Sequence, residues 1–516
     1  MHRSVTEHPL CSIGIQSAMS GNHFDLNVAA AGEMQFQGFS LRHSADEQAQ
    51  LATIVANDGV PQTDLDALLD LRNLLWSSID NDTSRDLDQI EWAEETVDPV
   101  DPKDAAIRVL IGVADVSAAI AKDSPIDRFA RDQTQTVYTG VRNFPMLPNA
   151  LSTGLTSLNE NEDRAALIIE YTVLKDGAMI HQKIYRAQVQ NKAQLAYSSV
   201  GPFLSDNKID ARLSIKLAAN PELQQQLRLQ DEAAQNLRAA RARNGSLDFR
   251  RSEAQPILAD GVVKSIESIE HNRAMQLIED LMIASNETVA ESLHNAKRSS
   301  LRRIVRSPER WQRIVDLAAL KGTQLPAEPD SLALNGFILE QQKADPDHYP
   351  DLALTIIKLM GAGEYVLSRG NDPTPPAHFA LAAQDYSHST APNRRFPDLV
   401  TQRLVKAMLA HEPAPYGDDE LAMIAEHTND RERATNKVAR SMFKRITAVA
   451  MQNRVGETFN GVITGANDKG VWVRVFTPPV EGKIVQGDKG LDVGDKVRVK
   501  LIHTDPQRAF IDFARV

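Results

Sequence analysis

Asp80, Asp82, Asp86 and Asp88 fall within nine positions of the stretch SSIDNDTSRDLDQI, Ser77 to Ile90. Carboxylates packed this closely raise one another's pKa and resist burial unless a cation neutralises them. A hard divalent cation does so, and an oxygen-only donor set with no Cys/His pair at zinc-ligand spacing nearby favours Mg²⁺, with Mn²⁺ able to substitute. LLWSSID reads as a strand ending in DNDTSRD, a loop able to fold several side chains about one point. A solvated turn or helix cap presents the same four aspartates, so the spacing needs support from the rest of the chain.

The chain as a whole has 516 residues, 42% of them hydrophobic, enough for two to four domains with buried cores. Lys and Arg number 57 against 69 Asp and Glu, a formal charge of −12, so a polyanionic partner must be met by a localised basic region. Arg433, Lys437, Arg440 and Lys444 supply one, since their spacing puts four cations on one helical face. A solvated basic face is the alternative for that stripe. RAARARNGSLDFRR and KRSSLRRIVR are further basic clusters. The single cysteine, Cys11, excludes an intrachain disulfide framework and fits a reducing compartment. No stretch approaches the roughly 20 apolar residues of a membrane span and the opening lacks a secretory core, so the expectation is a cytoplasmic protein with no membrane partner.

The elements that must position the aspartates are legible in part. Residues 1–43 give a hint of short strands and no assignment. Ser44 is the expected N-cap of a helix running toward Gly59, and TDLDALLDLRNLL reads as a second helix, either a helix-turn-helix or a plain helical packing unit. Beyond Leu74, IRVLIGVADV is a buried strand, and ALIIEYTVLKDGAMIHQKIYRAQV is a hairpin turning at Asp176-Gly177. Two amphipathic helices follow, one with Met275, Ile278 and Met282 on one face and one opened by Pro397, with the proline-rich loop SRGNDPTPPAHFA between them.

The last 62 residues alternate short strands with regularly spaced glycines, the pattern of a small closed β-barrel. Through GETFNGVI, KGVWVRV, EGKIV and GDKVRVKLI this segment resembles the S1 domain, an OB fold that binds RNA. Phe459, Trp472 and Lys483 are its candidates for stacking bases and meeting phosphates. Barrel core is the alternative place for both aromatics.

The spacing of Asp80, Asp86 and Asp88 resembles the aspartate cluster of the RNase II/RNase R (RNB) family of 3′-to-5′ exoribonucleases. The similarity continues in order through GVADVSAAI, VYTGVRNFPMLPNALS, TSLNENEDRAAL, NKAQLAY, IEDLMIASN and HFALAAQDYSHSTAPNRRFPDLVTQRL, from about Leu74 to Ala410. The resemblance implies an α+β multidomain architecture: a small N-terminal unit (1–70) in place of cold-shock barrels, a catalytic domain with a mixed sheet surrounded by helices (71–452), and the S1 barrel (453–516). It further implies that Asp80, Asp86 and Asp88 hold Mg²⁺ and that Arg394 neutralises charge on the scissile phosphate. Tyr138, Tyr197 and Phe249 are then the aromatics that stack and clamp the terminal bases, and Glu279 contacts the substrate sugar.

The activity so implied is processive, Mg²⁺-dependent hydrolysis of single-stranded RNA from its 3′ end, releasing nucleoside 5′-monophosphates, by a monomer. Whether 3′-tailed duplex RNA is admitted is left open. Two departures stand out. Gln89 follows Asp88 where the family pattern has a second aspartate, leaving an amide oxygen as the metal donor there, and Ala439 stands where many relatives carry a glutamate. These departures keep a rival in view, an RNA-binding protein that has lost catalysis. A Mg²⁺ phosphodiesterase of small nucleotides is the third reading.

Overall fold

The computed structural model describes residues 24–57, 59, 67–99, 101–249, 252–259, 262–346 and 348–516. Eight strands lead to the site: β1 (Leu69–Asp70), β2 (Trp76–Asp80), β3 (Gln89–Val97), β4 (Ala105–Ala114), the short hairpin β5 (Val137–Tyr138) and β6 (Asn143–Phe144), β7 (Asp163–Val173) and β8 (Met179–Ala196). Six of them form one mixed sheet in the order β1-β8-β2-β3-β4-β7. β8 is long enough to serve three neighbours, with β1 beside Ala187 and Gln188. It pairs antiparallel with β7 from Met179 to Gln190, then parallel with β2 from Asn191 to Ala196, so the sheet curls back on itself.

β4, AAIRVLIGVA, is buried along nearly its whole length, as expected of an apolar strand covered on both faces. The β7–β8 turn is at Asp176-Gly177, as the sequence indicates. Gly177 has φ +82°, and a Cβ there would stand 2.1 Å from the Asn236 carbonyl oxygen of the helix Leu223–Arg243. That helix and the next, Arg273–Asn295, cover the sheet, and the Asn272 side chain caps the second by accepting from the Met275 N–H at 3.0 Å. Leu277, Leu281 and Ala284 from the second helix enter the same core as Trp76, Ile111 and Ile169 of the sheet.

A second core joins parts distant in sequence. Leu26, Ala30 and Met34 from the helix Leu26–Phe36 pack with Val438, Met442 and Ile446 of the 34-residue helix Asp418–Met451, and with Phe459, Ile463 and Phe513 of the C-terminal barrel. The barrel is five strands between Thr458 and Arg515, most of them alternating buried and more exposed positions, closed as expected for an OB fold. Three helices between Trp311 and Met360 have a third small core, and Asp351 there pairs with Arg474 of the barrel.

The N-terminal region departs from expectation. Residues 26–36 form a helix, not short strands, because Leu26, Ala30 and Met34 recur every four residues against the 418–451 helix. Ser44 caps the helix Ala45–Ala56 as expected. The second helix expected in TDLDALLDLRNLL is not found at 67–75. Leu69–Asp70 is instead a strand beside β8, and the following turn is fixed by the Trp76 indole donating to the Leu71 carbonyl at 2.8 Å. Residues 63–66 of that stretch, and Cys11, lie outside the described residues. The described part of 1–70 has no core of its own, since Ile54 joins the sheet core and Met34 the barrel core.

The Gly177 contact makes a testable demand. Gly177→Ala combines an unfavourable φ with a clash against helix backbone, and is expected to destabilise the sheet and its covering helices by about 2–4 kcal/mol, read as a lower urea midpoint with unchanged slope.

Candidate active site

β2 delivers Asp80 at its C-terminal end, and the loop 81–88 returns to β3. This loop is pinned from below. The Leu87 N–H donates to Ser157 Oγ at 3.0 Å, the Ser157 hydroxyl donates to the Arg85 carbonyl at 2.8 Å, and the Leu158 N–H donates to the Leu87 carbonyl at 3.0 Å. The segment TSLNENEDR therefore acts as a backbone clamp for the aspartate loop.

Asp88 is buried to 2% exposure and meets a loop more than 300 residues away. Its Oδ1 accepts from the Asn393 N–H at 2.8 Å, and its Oδ2 lies 3.3 Å from Arg394 Nε without an aligned hydrogen bond. The Asn393 side chain is itself fixed, since the Thr156 hydroxyl donates to its Oδ1 at 2.6 Å. Behind it, Arg395 is held by Asp398 at the start of the helix Phe396–Leu409, which carries Pro397 in its first turn as expected. Burial pushes the Asp88 carboxyl up to about 7, with Arg394 opposing the shift. Asp80 is also raised, first by burial, with Arg394 opposing and Asp86 adding to the rise.

The four aspartates do not act as one group. Asp82 Oδ1 turns outward to the Ser198 hydroxyl at 2.8 Å and to Arg212. Asp86 accepts from the Tyr138 hydroxyl at 3.0 Å, while the Tyr138 side chain stays partly open, 45% exposed. Tyr197, directly after β8, is half-buried beside Asp80, and both Asp80 and Arg394 act on its phenol, whose pKa burial raises. Gln89 begins β3 opposite Val113. Among the described residues, no three Asp, Glu, His or Cys side chains converge closely enough to enclose a metal ion as they stand.

A cavity of about 710 Å³ opens against the two long helices and the β-ribbon between them, lined by Phe249, His271, Met275, Glu279, Arg238 and Arg241. It holds two predicted residues, Phe249 and Glu279. Arg238 reaches Asp280 at 3.1 Å and Arg241 also pairs with Asp280, so the acid beside Glu279 is committed to structure. The cavity is tied to the aspartate side through Asn272, whose Nδ2 donates to the Tyr197 carbonyl at 3.1 Å.

In the barrel, Phe459 is not a surface aromatic. It is 6% exposed and packs edge-on against Phe513 at 6.2 Å, because its position alternates into the barrel interior. The exposed aromatics are Phe476 and Phe510, at 52% and 51%, which sequence reading missed; the alternation that buries Phe513 was the available signal for Phe510. Trp472 is half-buried with the Lys483 ammonium 5.9 Å from its ring centroid. Arg433, Lys437, Arg440 and Lys444 are all exposed, on the side of their helix away from Val438 and Met442.

A curled mixed sheet with an acidic loop at one strand end, an arginine loop over it and an OB barrel at the C-terminus is a distinctive combination. The RNB domain profile matches residues 68–411, and that of the RNase II-type exonuclease C-terminal S1 domain matches 457–516; the chain belongs to the RNB family. Ribonuclease R of Escherichia coli is 29% identical over 440 residues, covering 82% of this chain and 52% of its own length. The chain thus spans about half the length of the curated relatives it matches first. Mycoplasma genitalium RNase R, solved with ribose-methylated single-stranded RNA, superposes with a TM-score of 0.82 at 22% identity, covering 95% of this chain and 78% of that one. Yeast Ssd1, described as a pseudonuclease, superposes at 0.66 with 15% identity, covering 92% and 57%.

The raised Asp88 fixes the sign of a pH effect. Its carboxyl titrates near 4 in the unfolded chain and about 7 in the fold, so its contribution to stability is complete below pH 4 and is lost as pH rises through 7. In chelator-treated protein, Asp88→Asn is expected to gain stability relative to the parent between pH 5 and 8, measured by thermal midpoints at each pH.

Proposed function

We propose that this protein is a hydrolase of single-stranded RNA that removes nucleotides processively from the 3′ end and releases 5′-monophosphates, with Mg²⁺ at Asp80, Asp86 and Asp88. The observation that carries the reading is the contact of Asp88 with Asn393 and Arg394, which sets an arginine against the acidic loop beside two partly accessible tyrosines. The 3′-to-5′ polarity and processivity are supported by membership of the RNB family. RNA turnover in the cytoplasm is the matching role, and no helix among the described residues is long and apolar enough to cross a membrane.

The residues present fit Mg²⁺. The donors are all oxygen, Asp88 Oδ2 is buried without a hydrogen bond, and Asp80 and Asp88 each feel the charge of Asp86. When bound, the ion supplies a Lewis acid for the phosphate and lowers the pKa of water. Arg394, with its side chain 41% exposed, keeps guanidinium donors free toward a phosphate while Nε faces Asp88. Tyr138, Tyr197 and Phe249 offer ring faces to bases of any identity, and Glu279 offers an acceptor to a ribose hydroxyl. Trp472 and Lys483, with the exposed Phe476 and Phe510, would hold the upstream strand, and the 433–444 basic stripe would draw it in.

A second reading, RNA binding without catalysis, is favoured by one observation: an amide, Gln89, begins β3 at the acidic loop. An end-labelled RNA incubated with Mg²⁺ separates the two. Stepwise loss from the 3′ end supports hydrolysis; internal cuts, or loss from the 5′ end, contradict it, and tight binding without turnover establishes the second reading. Asp88→Asn is expected to abolish cleavage with RNA affinity retained, and Arg394→Lys to lower kcat by about 10²–10³-fold with little change in KM, as for loss of a transition-state donor.

A further inference from the structure

Glu91 has no place in the chemistry described so far, yet its surroundings are unusual. It lies on β3 two residues beyond Gln89, so both side chains leave the strand on the same face. Across the sheet it pairs with Ser77 of β2, the strand that ends in Asp80. The side chain is 0% exposed, and neither carboxylate oxygen has a hydrogen-bond partner. The neighbouring charge that acts on it is Asp80, of the same sign, and Glu91 and Asp80 act together on the phenol of Tyr197. A buried carboxylate whose charged neighbour is another carboxylate has little beyond its own backbone amide to offset its desolvation.

The charge count at the acidic loop points the same way. Asp82 is neutralised by Arg212, and Arg394 offsets one of the remaining three aspartates. Gln89 adds no charge. Glu91 adds one, on the Gln89 face, from a buried position whose oxygens are both unclaimed.

We propose that Glu91 is a carboxylate of the metal centre, supplying the negative charge that the amide at Gln89 does not, with a bound Mg²⁺ or Mn²⁺ as the partner its oxygens lack. The proposal rests on the metal reading given under Proposed function and assigns that centre a residue from the interior of β3. The competing account is an uncharged acid packed in the core, with no part in metal binding.

Mn²⁺ binding to the full chain, stripped of metal and free of RNA, tests this without reference to turnover. Free Mn²⁺ is followed by its electron paramagnetic resonance signal. Glu91→Gln is expected to weaken binding at least tenfold, and Gln89→Asp added to Glu91→Gln to recover most of the loss. Glu91→Asp, which keeps the charge on a shorter stem, should fall between, and it carries the test if Glu91→Gln does not fold. Binding by Glu91→Gln within twofold of the parent, or Glu91→Asp equal to the parent where Glu91→Gln cannot be made, overturns the proposal and leaves the three aspartates as the centre. Absence of Mn²⁺ binding by the parent chain overturns the metal reading itself, and this proposal with it.

Discussion

The buried carboxylate of Asp88 is the point on which the site depends. One of its oxygens receives a backbone N–H from Asn393 and the other faces the Arg394 guanidinium, so a loop at the start of β3 and a loop before the helix Phe396–Leu409 are locked together. A desolvated charge is costly, and the fold offers it one backbone donor and one half-exposed arginine. The surrounding bonds, from Ser157 to the aspartate loop and from Thr156 to Asn393, keep both loops from relaxing away from each other. Each of these groups is explained by the need to hold Asp88 where it is.

The larger architecture serves the same constraint. β8 divides its pairing between β7 and β2, which sets the height of Asp80 relative to Tyr197 at the strand's end. The Arg273–Asn295 helix then links that end to the cavity holding Phe249 and Glu279. Residues widely separated in sequence are thus brought to two adjoining places by one curled sheet and two helices.

Much of this was legible because the signals were local. Ser44, Pro397 and Asp176-Gly177 mark their elements through capping, a fixed φ and a positive φ, and each sits where those rules place it. Asp80 at a strand end followed by a loop was readable for the same reason. What failed depended on distant partners. The apolar spacing of LDALLDLRNLL suits a helix, but Leu69–Asp70 finds β8 and Trp76 locks the turn. The stripe of Leu26, Ala30 and Met34 has helical spacing, yet its partner lies some 400 residues on. Phe459 shows the limit for aromatics, since stacking and core roles look alike until the barrel closes. Glu91 was invisible because a glutamate in an alternating strand reads as an outward-facing residue.

The core shared by the N-terminal helix, the 418–451 helix and the barrel has a mechanical meaning. Phe459 and Phe513 pack in the same apolar mass as Met34 and Met442, and Arg474 is tied to Asp351 on another element. The barrel is therefore welded to its support instead of hanging from a tether. Under the function proposed above, an RNA strand held at both barrel and acidic loop would be measured by a fixed span, like cloth against a rule. On that reading a strand trimmed below the span would lose its outer grip, and the length at which fragments escape would be set by the packing of methionines and phenylalanines far from any phosphate.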